Sequence, residues 1–113
     1  MDPDETNPTR DLADVPAVEV ITTTALHLMS AAAIKVGLAE DEATAHHRDL
    51  DEARKLITAL AGLVTAAAPS IGTFHAAPLR DGLQALQRAF REASPSPDPP
   101  GQGPGESGVA ARP

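Results

Sequence analysis

The stretch Ala17–Leu38, AVEVITTTALHLMSAAAIKVGL, constrains this chain more than any other. Val20–Ile34 is uncharged over 15 residues, and Glu19 and Lys35 close it off. On a helical wheel at about 100° per residue, Val18, Ile21, Ala25, Leu28, Met29, Ala32 and Val36 make one apolar face. Val20, Ala31, Ile34 and Leu38 make a second on the opposite side, with His27 among them. Only a seam through Glu19, Thr23 and Ser30 is polar. A helix apolar nearly all round is either buried or in a membrane. The uncharged run falls short of the roughly 20 residues a span requires, and it holds three threonines, a serine and a histidine. The reading is therefore burial, with no membrane partner.

The segments on either side set how much protein is available to bury it. Residues 1–14 hold five acidic residues against one arginine, with prolines at 3 and 8. Residues 95–113 form a Pro/Gly/Ser tail. Neither segment has apolar surface enough to offset the entropy of ordering, so the expectation is a disordered arm, a folded domain over 15–94 and a disordered tail. A core of that size is marginal and usually needs a staple. The chain has no cysteine, which excludes disulfides and thiolate metal sites and fits a cytoplasmic location. Oligomerisation is the staple that remains. The expected state is a homo-oligomer, a dimer by preference, with the Val20, His27, Ala31, Ile34 and Leu38 side of the first helix meeting the other copy.

Three helices are expected, over about 17–37, 49–68 and 78–93. Pro16 opens the first, and Gly37 closes it as a left-handed C-cap. Asp49 with Glu52 three residues on reads as a capping box for the second. Its core stripe is Leu50, Ala53, Ile57, Leu60, Val64 and Ala67, flanked by Leu56 and Leu63, and Asp51 with Lys55 makes an i,i+4 pair. Thr58, Gly62 and Ala66 form a small-residue ridge on its far side. Pro69 is expected to stop it. Residues 69–77 then read as a connection anchored by Ile71 and Phe74, and Pro78 starts the third helix, with Leu79, Leu83, Leu86 and Phe90 inward. Gly82, Ala85, Ala89 and Ala93 widen that buried face. No run alternates with period two, so the fold class is all-α, a small three-helix bundle.

The net charge of −7 argues against DNA as a ligand. The far side of the third helix nevertheless carries Arg80, Arg88 and Arg91. They make a modestly basic strip that could meet an acidic partner, RNA or the chain's own acidic arm, and a ribosome- or RNA-linked accessory factor using this face is the alternative to self-association. No phosphate loop, HExxH or calcium-loop pattern occurs. His46 and His47 beside Glu40, Asp41, Glu42 and Asp49 lack a well-placed third ligand and read as a solvated loop. No catalytic residue, metal site or cofactor is expected, and the chain reads as a non-enzymatic interaction protein.

The segments VPAVEVITTTALHLMSAAAIKVGLAE, RDLDEARKLITALAGLVTAAAP and AAPLRDGLQALQRAFREAS together resemble the bacterial family known as domain of unknown function 1844. The resemblance spans about Val15–Ser94. It rests on the first helix ending Lys35-x-Gly37-Leu38, the Asp49-to-Leu60 run, and the Leu79/Leu83/Leu86 helix with basic residues near its end. It implies a short helical protein with no assigned activity. It also implies an association with translation, because genes of such relatives often lie near that of translation initiation factor 3. No functional residue is carried over.

Overall fold

A computed structural model describes residues 12–38 and 47–106. Among these residues there is no strand. The helices are α1, Ala17–Val36; α2, Leu50–Ile71; and α3, Thr73–Ala93. All three pairs of helices pack together. Lys35 at the end of α1 accepts from the Asp49 backbone N–H at 2.8 Å, which sets α2 antiparallel to α1. Arg54 lies over the Phe90 ring, so α3 is antiparallel to α2 in turn. The result is the small three-helix bundle expected from the periodicity.

The shared core is Ala25, Ala32, Val36, Ala53, Ile57, Leu60, Val64, Leu79, Leu86 and Phe90. Burying a side chain the size of Ile57 or Leu60 contributes about 1.5–3 kcal/mol, and both are fully buried. The helices meet through small residues elsewhere. Gly82 is the tightest point, since a Cβ there would sit 2.8 Å from Sδ and Cε of Met29 on α1. Of the small stripe on α3, Gly82, Ala89 and Ala93 are half-buried, while Ala85 is exposed.

The local end signals act as the sequence suggests in two of three cases. Gly37 caps α1 at φ 96°, its N–H reaching Ala33 and Ile34, and the Leu38 N–H returns to the Ala33 carbonyl at 2.9 Å. The Asp49 carboxylate accepts from the Glu52 N–H at 3.2 Å. The reciprocal half of the capping box is absent. Lys55 donates to the Glu52 carboxylate at 2.7 Å, which also replaces the expected Asp51 pair. This hydrogen bond raises the Lys55 pKa, and the negative field of Glu52, Asp49 and Asp51 adds to it.

The third case is a correction. Pro69 does not stop α2, and Pro78 does not start α3. Both prolines lie inside helices, and the only residue between the two helices is Gly72. A proline forfeits the bond to the carbonyl four residues back. Here those carbonyls belong to Thr65 and Phe74, both exposed, so water can satisfy them. Of the residues in the extra turns, Ala76 is buried and Ile71 packs on the core. The reversal needs a backbone at φ 83°, ψ 162°, which Gly72 supplies. Phe74 is therefore no anchor. It is 87% exposed and meets the His75 ring edge-on at 5.2 Å, whereas Ile71 does pack on the core.

Part of the expected tail is described. Residues 95–106 hold no helix or strand, yet they lie against α2 and α3, with Pro104 buried. Among the arm residues only 12–14 are described. The rest of the arm, the 39–46 part of the first connection with His46, and residues 107–113 lie outside the described residues.

Candidate interaction surface

α1 buries only Ala25, Ala32 and Val36, while Leu28, Met29 and Ala33 are half-buried against the core. Its other side carries Val20, Thr24, His27, Ala31 and Ile34, a 4-3-4-3 rhythm that keeps all five within an arc of about 80°. The centre of that arc lies about 140° from the buried residues. Val20 is 37% exposed and Leu38 55%. His27 is exposed, and Ala31 and Ile34 are half-buried. Of the five residues expected to meet a second copy, Val20, His27, Ala31 and Ile34 lie on this side of α1, and Leu38 lies beyond its Gly37 cap.

The surface is not flat. Leu26, 56% exposed, and Ile34 flank Ser30 and Ala31, which leave a depression of about 460 Å³ bordered also by Thr23 and His27. Leu26 is absent from the expected face because the wheel puts it beside the polar seam. The seam itself, through Thr23 and Ser30, forms the floor and wall of the depression. Nor do the threonines make this region hydrophilic. Thr22 Oγ1 donates to the Val18 carbonyl at 2.9 Å, and Thr24 Oγ1 to the Val20 carbonyl at 2.7 Å. Hydroxyls bonded back to their own helix leave little polar demand toward a neighbour. No buried side-chain nitrogen or oxygen lacks a partner among the described residues.

The basic strip of α3 is differently placed. Arg80, Gln84, Gln87 and Arg91 fall within an arc of about 60°, and Arg88 stands to one side of it. The chain's own tail runs along this arc. Arg91 Nη1 donates to the Asp98 carbonyl at 2.9 Å, and Gln87 Nε2 to the Pro104 carbonyl at 3.0 Å. Across the seam on α2, Arg54 Nη2 donates to both Asp98 carboxylate oxygens, at 3.2 and 3.0 Å. The same guanidinium lies 5.0 Å from the Phe90 ring centroid. Of the three candidate arginines, Arg91 is engaged by the tail, Arg80 lines the cleft beneath it, and Arg88 is exposed.

Catalytic geometry does not emerge at either surface. Among the described residues no group of three or more His, Cys, Asp or Glu could hold a metal ion. His75 borders a notch of about 270 Å³ with Pro16, Val18, Glu19 and Thr22. By length and composition alone, α1 is long and apolar enough to cross a membrane.

The family model described as Domain of unknown function (DUF1844) matches residues 17–92. The chain belongs to this family. The DUF1844 match covers α1, α2 and all of α3 but its last residue, so both surfaces lie within it while the tail does not. No curated protein and no solved structure matches the chain.

Proposed function

We propose that this DUF1844 chain is a non-enzymatic interaction protein that forms a homodimer through the outward face of α1. The observation that carries the reading is the contrast within one helix. Two alanines and a valine are buried in the core with Leu28 and Met29 half-buried beside them, while Val20 and Leu26 on the helix and Leu38 just beyond its cap stand exposed. An antiparallel pairing about His27 suits the spacing. Each residue i then meets residue 54 − i of the copy, so Val20 meets Ile34, Thr23 meets Ala31 and His27 meets His27. That arrangement pairs Val20 with Ile34 at both ends and Thr23 with Ala31 nearer the middle, with the two His27 side chains at the crossing. It also sets each Glu19 level with a Lys35, whereas a parallel pair would juxtapose like charges.

Light scattering on the eluting protein tests this directly. A mass of twice 11.6 kDa is expected at micromolar concentration, and Ile34→Glu should return the single-chain mass with its helical circular dichroism intact. A native chain that stays monomeric through 100 μM and floats with lipid vesicles would overturn the reading in favour of membrane association.

A further inference from the structure

The segment from Asp98 to Gly105 behaves as a bound peptide more than as part of the core. Its contacts fall at two points. At the first, Arg54 holds the Asp98 carboxylate through two hydrogen bonds while Arg91 holds the Asp98 carbonyl. At the second, Gln87 holds the Pro104 carbonyl, Pro104 is buried, and Gly105 lies on α2 so closely that a Cβ would fall 2.5 Å from Cβ of Ala61. Two of the contacts go to main-chain carbonyls, which a segment of any sequence can offer. The tail passes through two turns here, the Gln102 N–H reaching Pro99 and the Glu106 N–H reaching Gly103. A cleft of about 450 Å³ remains, walled by Val64, Leu83 and Arg80, and the tail borders it with Gly101, Gly105 and Glu106, of which only Glu106 has a side chain.

The fastening is also weak. The Arg54–Asp98 pair is part-exposed, 46% and 27% for the two side chains, and part-exposed pairs are screened by solvent. Holding a glycine- and proline-rich segment in place costs conformational entropy at every residue. A groove with a carboxylate clamp, two amide-reading side chains and unfilled apolar space is better suited to a ligand than to this segment.

We propose that the groove between α2 and α3 is a peptide-binding site whose ligand is a short turn-forming segment carrying a carboxylate and, several residues on, a proline. The chain's own Asp98–Gly105 occupies that site in cis and competes with the ligand. The site is independent of the α1 face.

The test uses the full chain and a fluorescein-labelled peptide of the sequence SPSPDPPGQGPGE, residues 94–106. Asp98→Lys with Gly105→Val releases the tail, the first by setting a cation against Arg54 and Arg91, the second by collision with Ala61 at a φ of 77°. Asp98→Lys alone is the milder release. Fluorescence anisotropy should show the released chains binding the peptide at least tenfold more tightly than the native chain. Adding Arg54→Glu should remove at least tenfold of that affinity. Equal binding by native and released chains, no saturable binding by a released chain of native helicity, or a preference for a single-stranded RNA oligonucleotide over the peptide would each overturn the proposal.

Discussion

α1 and α2 are nearly equal in length, 20 and 22 residues, and use their apolar residues in opposite ways. α2 buries seven residues, including the three largest fully buried side chains, Ile57, Leu60 and Val64. α1 buries three, two of them alanines. α2 is amphipathic in the ordinary sense, with Asp51 and Lys55 turned to water and Arg54 on the tail's Asp98. α1 gives the core two alanines and a valine, with Leu28 and Met29 half-buried beside them, and leaves Val20 and Leu26 exposed. Apolar content therefore does not measure a helix's share in a core. What counts is which side the partners take.

That contrast can be broken by one substitution made twice. Leu60→Ala removes side-chain volume from the centre and should lower stability by about 2–5 kcal/mol, read from the urea midpoint. For a domain this small such a loss approaches the whole folding free energy. Leu26→Ala makes the same chemical change on the outward side of α1. Below the dimerisation range it should stay within about 0.5 kcal/mol of the native chain. Above that range it should weaken assembly. Comparable losses at the two sites in dilute protein would mean that α1 is buried more deeply than its exposure indicates.

A smaller effect separates the small residues of α2 from those of α1. Gly62 is exposed, and nothing lies within 4 Å of where its Cβ would be. Gly62→Ala should raise stability by up to about 1 kcal/mol, the helix-propensity difference, with no change in mass. A fall in stability or a change in assembly would instead make the Thr58/Gly62/Ala66 ridge a contact surface. Smallest of all is Lys55→Gln. The Lys55 ammonium is fully exposed and its pKa is raised by Glu52, so the stabilisation it supplies is present below its unfolded pKa and vanishes only as pH rises through the folded one. Melting temperatures of the native and Lys55→Gln chains should coincide throughout pH 5–9, and their difference, if any, should close in strong alkali.

Much of the candidate interaction face was legible beforehand, because it depends on periodicity within one helix. Val20, His27, Ala31, Ile34 and Leu38 share a side of α1 by spacing alone. Leu26 escaped because its wheel position adjoins Glu19, Thr23 and Ser30. Only the packed bundle shows that this flank is open and that Ser30 forms a dip beside it. On α3 the arginines were visible, but not what lies over them. The pairing of Arg54 with Asp98 joins residues 44 apart in the chain, and no local pattern announces it.

By itself the sequence determined the number and type of helices, the close of α1 at Gly37, the cap at Asp49 and the two-sided apolarity of α1. Those features depend on backbone hydrogen bonds and side-chain spacing within a few residues. Tertiary structure decided that two prolines could stay inside helices, because Pro69 and Pro78, and Thr65 and Phe74 four residues before them, lie on exposed sides while the opposite side of each helix packs. It decided that Gly72 alone reverses the chain, and that a tail composed for disorder finds a groove. It also decided which side of α1 the bundle takes, because α2 and α3 together offer one surface and a single copy of the chain has no second.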